Sequence, residues 1–355
     1  MELYRQVLDS MHKGETTLLA TVISCPDFPK LIGSKAVYSD RGLLAGSLEA
    51  EAAVVVETLI GQMTAGGQSG IIKKAVSKYG EITFFIHSLL PRPRLIILGG
   101  GHVGGALCKM AAPLDYQILL IDDRPSFANK VSHPDADLVI CDSFESAIDS
   151  LEASESDYIV IVTRGHRYDR LCLEKSLSRS AAYLGMIGSR KRVRGLLQEL
   201  EKEGSSKEQL TRLHAPIGLS IGAITEPEIA LSILAEITAV RRNSSRAEVA
   251  PVAVIKALAA LEQSKQRAAL VTIVETFGST PRKPGSQMIV FPDGNIVGTI
   301  GGGCSEADAK REALLQLDQD KPLLFRQRLT AEDAEEEGMA CGGVMDLFIE
   351  TIPRS

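Results

Sequence analysis

The sequence lacks the features that mark three large classes of protein. No apolar run approaches the ~18 residues of a membrane-spanning helix, and residues 1–15 lack the apolar centre and cleavage site of a signal peptide. Acidic residues outnumber basic ones, and the formal net charge of −6 argues against a nucleic-acid-binding surface. These absences predict a cytoplasmic protein that has neither a membrane nor a nucleic acid as a partner.

Cysteine is also scarce, and its spacing excludes two kinds of site. The six cysteines include no Cys-x-x-Cys pair, so neither a disulfide framework nor a structural zinc site is indicated. Most of them are expected to be small core residues. With 355 residues, 45% of them hydrophobic, the chain is long enough for two or three domains that each bury a core.

The central part of the chain begins with an apolar strand, a glycine-rich turn and a helix. The turn, residues 99–104, has the spacing Gly-x-Gly-x-x-Gly, with His102 inside it. In this arrangement Gly99 permits the turn, Gly101 lets a phosphate approach the backbone, and Gly104 lets the helix pack on the strand. The first N–H groups of the helix would face the anion. The turn therefore predicts a site for a phosphorylated ligand.

A second apolar strand ends in Asp122-Asp123-Arg124 and extends this pattern. Asp122 follows Gly99 by 23 residues, close to the ~20 residues expected before a ribose-binding acid. Asp122 or Asp123 would favour a free 2′-hydroxyl, as in NAD, whereas Arg124 would favour a 2′-phosphate, as in NADP. A glycine-rich turn that binds no nucleotide is the other interpretation, and the sequence leaves these alternatives open.

From residue 94 to 242 strands and helices alternate, which is typical of a doubly wound parallel sheet. Ligands of such sheets bind at the carboxyl ends of the strands, and polar turns there make Arg164, His166, Ser189 and Arg190 candidates. The cations after Ser189 would oppose the dipole of the helix that they begin, which indicates an anionic ligand. His166 is either a cleft residue or a solvated loop histidine.

The two ends of the chain repeat each other. Residues 3–47 align with 255–299 without a gap at an offset of 252, so that Leu18 falls on Leu270. From Leu18 onward seven aligned positions are identical, against about 2 expected by chance. Each copy has an amphipathic helix, a strand, a loop and a strand pair, and we predict an internal duplication. The first copy lacks the glycine- and cysteine-bearing loops of the second, so it is interpreted as a degenerate, structural copy.

We therefore predict an α/β protein with a central Rossmann-like doubly wound parallel sheet flanked by two related small α+β domains. The predicted domains are residues 1–90, 94–242 and 250–355. Arg241 is expected to begin the linker to the last domain.

Eight segments stand in order along the chain: GGGHVG, DDRPSFA, TRGHRYDRLCLEKSL, YLGMIGSRKR, LHAPIGLSIGAITEPEIALSILAEI, GSTPRKPGSQM, GTIGGGCSE and GMACGG. With them the chain resembles the XdhC/CoxI family, whose members are accessory factors for xanthine dehydrogenase and related molybdenum hydroxylases. The resemblance covers nearly everything from Arg94 to the end. The family usually places the cysteine-bearing domain before the Rossmann-like one, whereas here it follows.

The resemblance implies that the chain binds the molybdenum cofactor (molybdopterin), protects it while its terminal sulfur is installed, and delivers it to apo xanthine dehydrogenase or a related molybdenum hydroxylase. It also implies a cysteine desulfurase as a partner and a place in purine catabolism. The two tandem copies favour a pseudo-symmetric or dimeric assembly, and a homodimer is expected. On this hypothesis the chain is a cofactor-binding maturation factor rather than a turnover enzyme.

Residue by residue, the resemblance assigns the family's thiols to Cys304 and Cys341. A cysteine in a glycine-rich loop is accessible, and its thiolate suits molybdenum or sulfur-transfer chemistry, although neither thiol is expected to be a structural metal ligand. Gly302 and Gly303 precede Cys304, and Glu306 would either act as an acid or base or cap the next helix.

A second loop of the last domain carries Ser279 and Arg282. It would bind the phosphate of the pterin through backbone N–H groups and a bidentate arginine, or else it is a proline-ordered loop with solvated charges.

The competing hypothesis is an NAD- or NADP-dependent oxidoreductase. Asp122 or Asp123 would hold the ribose, and His166 or a cysteine would assist catalysis. The chain has no Tyr-x-x-x-Lys motif to support this hypothesis. A scaffold whose partner supplies the chemistry is the third hypothesis.

Overall fold

The structure is a computed structural model that describes residues 2–62, 69–243, 252–264, 266–328 and 343–352. The chain forms two compact units: the first comprises residues 1–91 and 246–355, and the second comprises residues 92–245. Within the described ranges, no helix combines the length and the apolar character needed to cross a membrane.

The amino-terminal part of the first unit is an antiparallel sheet with two helices. Its elements are α1 (Leu3–His12), β1 (Thr17–Ser24), β2 (Lys35–Ser39), β3 (Gly42–Gly46), α2 (Ala50–Gln62), β4 (Gly70–Val76) and β5 (Gly80–Leu89). The strands are ordered β3-β2-β1-β5-β4, and each neighbouring pair is antiparallel. Leu3, Val7 and Met11 recur at helical spacing in α1 and are buried, as an amphipathic helix requires.

The second unit alternates strands and helices. Its strands are β6 (Arg94–Leu98), β7 (Gln117–Asp122), β8 (Leu138–Cys141), β9 (Asp157–Ile161), β10 (Tyr183–Met186) and β11 (Leu213–His214). Its helices are α3 (His102–Ala111), α4 (Phe144–Ser150), α5 (His166–Leu177), α6 (Arg190–Lys202), α7 (Lys207–Thr211) and α8 (Glu226–Asn243). The strands form one parallel sheet in the order β11-β10-β9-β6-β7-β8.

Side chains of the central strand β6 alternate between two cores, one on each face of this sheet. Leu95 and Ile97 pack with residues of α3 and α8, whereas Ile96 and Leu98 pack with residues of α4, α5 and α6. Helices therefore cover both faces, which explains why β6 is apolar from Leu95 to Leu98 rather than alternating. The predicted fold class, with a central Rossmann-like doubly wound parallel sheet, is confirmed. The strand order reverses between β6 and β9, where ligands of open parallel sheets bind.

Helix α8 extends past the point where the sequence predicts its end. The sequence predicts a linker from Arg241, but α8 continues through it to Asn243. The guanidinium of Arg241 lies 4.8 Å from the ring centre of Tyr116 and donates a hydrogen bond to the carbonyl oxygen of Leu114. These contacts hold the last turn of the helix on the domain. The division of the chain at residues 90, 94, 242 and 250 stays a prediction.

The carboxyl-terminal part of the first unit is a second antiparallel sheet. Its elements are α9 (Val252–Gln263), β12 (Ala268–Phe277), β13 (Gln287–Val290), β14 (Ile296–Gly298), α10 (Gly303–Gln319), β15 (Leu323–Arg328) and β16 (Val344–Ile352). The order β14-β13-β12-β16-β15 is the order of the first sheet, strand for strand. The two small α+β folds are therefore related in topology.

The strand registers correct the ungapped alignment of the two copies. Thr21 pairs with Lys35 in the first copy, and Thr272 pairs with Gln287 in the second. The offset between the copies is thus 251 in the first strand of each sheet and 252 in the next, because the second copy has one more residue in the connecting loop. The alignment of Leu18 with Leu270 is wrong, and since side chains alternate along a strand, it would place each residue on the opposite face.

The two copies pack together within the first unit. Helices α1 and α9 contribute buried residues to one core. The carboxylate of Glu262 in α9 accepts hydrogen bonds from the backbone N–H groups of Leu3 and Tyr4, at 2.8 and 2.9 Å. These bonds satisfy donors at the beginning of α1 that have no partner within the helix. The α1–α9 contact is thus fixed by both packing and capping.

Residues of both sheets also meet in a shared cluster. Ile23 and Phe85 of the first copy pack with Val274 and Phe348 of the second. His87, on β5, is only 3% exposed, and its burial lowers its pKa to about 4. The folded protein therefore keeps this imidazole neutral at pH values where a histidine in an unfolded chain is protonated.

This difference in pKa predicts a loss of stability in acid that depends on His87. Between about pH 6.5 and pH 4 the unfolded chain binds more protons at this position than the folded chain, so the free energy of unfolding falls as the pH falls. The full effect is about 3 kcal/mol. Urea unfolding of wild type and His87→Gln at pH 7 and pH 4.5 measures it. The wild type should lose more stability than the variant between these pH values, and equal losses would show that His87 does not cause the effect.

Candidate functional site

Three helices of the second unit begin at the same edge of its sheet. Strands β6, β9 and β10 are neighbours and parallel, and their carboxyl ends lead into α3, α5 and α6. Gly101 and Gly165 are the N-cap residues of α3 and α5, and neither helix has a side chain that caps its first N–H groups. The N-cap of α6 is Ser189, whose hydroxyl accepts from the N–H of Arg192. The first N–H groups of α3 and α5 can therefore bind an anion at this edge.

The three glycines of the Gly-x-Gly-x-x-Gly motif differ in what surrounds them. Gly99 has φ +120°, and a Cβ there would lie 2.4 Å from the carbonyl oxygen of Val162. A Cβ at Gly104 would lie 1.9 Å from the carbonyl oxygen of Gly99, whereas one at Gly101 would meet nothing within 4 Å. The predicted turn at Gly99 and close packing at Gly104 are confirmed. The open space lies at Gly101, where the phosphate is predicted to approach.

Asp122 is turned into the protein. Its side chain is 1% exposed, and its carboxylate accepts hydrogen bonds from the N–H of Gly100 at 2.9 Å and from the backbone and guanidinium of Arg124. Burial opposes ionisation of this carboxyl, but the hydrogen bonds from Arg124 and Gly100 lower its pKa overall. Asp122 therefore anchors the glycine turn, and both of its oxygens already accept hydrogen bonds from the chain.

Asp123 and Arg164 join the turns that follow β7 and β9. The Arg164 guanidinium pairs with the Asp123 carboxylate, with 2.8 Å between Nη2 and Oδ2, and donates to the hydroxyl of Tyr168 at 2.6 Å. The hydrogen bond to Asp123 raises the pKa of Arg164. Sequence reasoning missed Tyr168, since nothing in its local pattern shows that it faces the preceding turn.

Asp169 is a further residue that sequence reasoning missed. It is 1% exposed, accepts a 2.6 Å hydrogen bond from the Thr163 hydroxyl, and pairs with Arg192. Arg192, one of the cations after Ser189, thus pairs with a carboxylate of the protein itself. Arg190, His102 and His166 are exposed and belong to the first turns of α6, α3 and α5.

In the first unit, a run of glycines leads into α10. Gly301, Gly302 and Gly303 all have positive φ, of +134°, +77° and +65°. The Glu306 carboxylate accepts hydrogen bonds from the Thr299 hydroxyl at 2.6 Å and from the N–H groups of Ile300 and Gly302 at 3.2 Å. These bonds hold the loop before α10, whereas no side-chain hydrogen bond caps the first N–H groups of the helix among the described residues. Both predicted roles of Glu306 stay predictions.

The loop that carries Ser279 and Arg282 contacts the glycine segments on either side. A Cβ at Gly301 would lie 2.4 Å from Cγ of Pro281, and a Cβ at Gly343 would lie 2.3 Å from the carbonyl oxygen of Ser279. Ser279 and Arg282 are themselves exposed. Three segments that are far apart in the sequence therefore meet in the first unit.

Three of the six cysteines are buried. Cys25, Cys108 and Cys172 are buried, and burial raises the pKa of Cys108 to about 11 and that of Cys172 to about 12. Cys304 is the second residue of α10, but its side chain lies outside the described residues, as does all of Cys341. In the described part of the chain, no group of three or more His, Cys, Asp or Glu side chains could hold a metal ion.

The glycine turn of the second unit allows a matched pair of substitutions. Gly104→Ala should lower the free energy of unfolding by about 1–3 kcal/mol because the new Cβ overlaps the Gly99 carbonyl. Gly101→Ala should change it by less than about 1 kcal/mol, yet weaken binding of pyrophosphate because its Cβ fills the open space. Urea unfolding and calorimetric titration measure the two effects. A Gly104→Ala protein as stable as wild type would contradict the close contact.

The role of Glu306 in the loop before α10 can be tested by hydrogen exchange. Glu306→Ala removes the acceptor of three hydrogen bonds, so the amides of Ile300 and Gly302 should exchange about tenfold faster. Glu312→Ala, on the same helix, is the control. Equal exchange rates in the two variants would show that Glu306 does not hold this loop.

Two known domain families match separate parts of the chain. Residues 95–237 match the XdhC Rossmann domain, and residues 261–327 match the XdhC and CoxI family. A solved structure described as a xanthine dehydrogenase from Bacillus halodurans covers 69% of this chain and 97% of its own, with 19% identity and a TM-score of 0.43.

Relatives of known sequence match less than half of the chain. YqeB, an uncharacterised protein of Escherichia coli K12, is 37% identical over 166 residues, which are 46% of this chain and 30% of that protein. A protein of Bacillus subtilis 168 that is named as a probable xanthine dehydrogenase component is 30% identical over 159 residues, 45% of this chain and 46% of the relative. The molybdenum cofactor insertion chaperone PaoD of Escherichia coli K12 is 25% identical over 162 residues, 45% of this chain and 44% of the chaperone. The matched region thus spans less than half the length of each relative. The glycine turn lies in the segment that matches the first family domain, and the α10 loop lies in the segment that matches the second. Because both domains of the family match, the chain belongs to the XdhC and CoxI family.

Proposed function

We propose that this protein is an accessory factor that binds the molybdenum cofactor and assists its sulfuration and its insertion into xanthine dehydrogenase or a related molybdenum hydroxylase. One observation carries the proposal: the Ser279–Arg282 loop contacts both Gly301, which lies three residues before Cys304, and Gly343, which lies two residues after Cys341. The described glycines nearest in sequence to the two candidate thiols are thus in contact with the same loop of one unit. A relative named as a molybdenum cofactor insertion chaperone supports the same role.

The described residues fit the anionic end of such a cofactor. In the second unit, Gly101 leaves open space beside the uncapped N-terminus of α3. In the first unit, a Cβ at Gly302 would meet nothing within 4 Å, and Arg282 is exposed on the loop that contacts Gly301. The N–H of Gly302 is bound by Glu306, so the donors at this position are the first N–H groups of α10. Backbone N–H groups and a guanidinium are the donors that bind phosphate groups in proteins. Either site can therefore hold a phosphate.

Each group of residues has a separate task in this proposal. When bound, the cofactor would supply the molybdenum centre that the recipient enzyme needs. The glycine loops would hold its phosphate through N–H groups, Glu306 would keep the α10 loop in shape, and the thiolates of Cys304 and Cys341 would contact molybdenum or its sulfur. A cysteine desulfurase as sulfur donor and a homodimeric state are finer expectations of the same proposal.

Anaerobic binding of isolated molybdenum cofactor tests the thiol role. The full chain, the Cys304→Ala/Cys341→Ala variant and a Cys141→Ala control are loaded, and the cofactor that is retained after gel filtration is measured. Cys141 is the matched control because it is exposed and lies in the second unit, at the end of β8. Retention should fall about tenfold or more in the double variant and stay unchanged in the control. Unchanged retention in the double variant would overturn the thiol role.

The same preparations distinguish the competing hypothesis. NAD and NADP are titrated separately into wild type and the double variant. Binding of a dinucleotide alone, indifferent to both cysteines, would favour the oxidoreductase over the accessory factor. Both oxygens of Asp122 already accept hydrogen bonds from the chain, so Asp123 is the acid that would hold a ribose in that case.

A further inference from the structure

The two sheets of the first unit face each other through equivalent residues. A small cavity between them is lined by twelve side chains, six from each copy. The strand registers show that these are six equivalent pairs: Leu19 and Leu270, Thr21 and Thr272, Ile23 and Val274, Lys35 and Gln287, Phe85 and Phe348, and His87 and Glu350. The interface is therefore pseudo-symmetric, with each copy presenting the same strand positions to the other.

Only two of the six pairs differ in polar character. Lys35 of the first copy and Glu350 of the second form an ion pair, and their side chains are 10% and 2% exposed. Their equivalents on the opposite copies are Gln287 and His87, each 3% exposed. A Cβ at Gly285, two residues before Gln287, would lie 3.0 Å from Nε2 of His87, so His87 faces the second copy there. One side of the interface is thus a buried ion pair, and the other side carries two polar side chains.

We infer that this charge pattern makes the sheet face of the second copy selective for a partner that places a cation opposite Glu350. The first copy, which supplies Lys35, is retained as this partner. The inference concerns pairing of the copies and stands independently of the proposed function.

Pairing of either copy with itself would bury unpaired charge. Two second copies would place each Glu350 opposite a Gln287, which leaves two buried carboxylates without a cation. Two first copies would place each Lys35 opposite a His87, and burial keeps that imidazole neutral, so two buried ammonium groups would lack an anion. A buried charge that has lost its partner is strongly destabilising, whereas the mixed pairing leaves none. The pattern therefore favours the mixed pair over both alternatives.

Four double variants of the full chain test this inference with residues that the interface already uses. Lys35→Gln/His87→Glu gives the first copy the polar residues of the second, and Gln287→Lys/Glu350→His gives the second copy those of the first. These two variants imitate pairing of a copy with itself. Lys35→Gln/Glu350→His instead puts glutamine opposite histidine on both sides, and His87→Glu/Gln287→Lys builds a second ion pair.

Calorimetric unfolding of all four proteins is compared with wild type. The first two variants should unfold about 10 °C lower or more, and the other two should stay within about 5 °C of wild type. Each variant carries two substitutions in the same cavity, so loss of packing alone predicts similar shifts for all four. Wild-type stability in the two imitating variants would overturn the inference. An equally low transition in His87→Glu/Gln287→Lys would overturn it as well, because a restored charge partner would then make no difference.

Discussion

Both candidate sites depend on backbone segments that approach each other more closely than a side chain allows. In the second unit the start of α3 lies against the end of β6, with Gly104 beside the carbonyl oxygen of Gly99. In the first unit Gly343 lies against the carbonyl oxygen of Ser279, and Gly301 lies against the ring of Pro281. At each position a Cβ would overlap a neighbouring atom. The glycines therefore fix the path of the loops, and this path leaves open space at Gly101 and Gly302, beside the beginnings of α3 and α10.

Acidic side chains beside these glycines stabilise the loops rather than face a ligand. Asp122 holds the N–H of Gly100, Glu306 holds those of Ile300 and Gly302, and Asp169 joins the turn after β9 to α6 through Arg192. A carboxylate that accepts several hydrogen bonds is costly to redirect, because each donor would lose its partner. The acids thus form a rigid support, and the groups left for an anion are the backbone N–H groups and the exposed cations.

The sequence predicts what depends on local pattern, and it does not predict what depends on contacts between distant segments. The strand, glycine turn and helix at 95–111 follow from apolar runs and glycine spacing, and the structure confirms them. The pairing of Asp169 with Arg192 joins two residues that are 23 positions apart on different helices, and it leaves no periodic signal. The alignment of Leu18 with Leu270 is wrong for a related reason, since an ungapped comparison counts identities and does not detect one extra loop residue. The roles of the Cys304 and Cys341 thiols remain predictions.

The two copies differ most in the loops that lie outside their shared interface. Across their shared cavity three of the six equivalent pairs are identical, namely Leu19 with Leu270, Thr21 with Thr272, and Phe85 with Phe348. The loops outside the sheets differ in length, and only the second copy has the glycine and cysteine segments. Packing between the sheets constrains volume at every apolar position of the interface, whereas an exposed loop has no such constraint. A copy without such loops can thus still cover the sheet of its neighbour, and the Lys35–Glu350 ion pair joins the two copies.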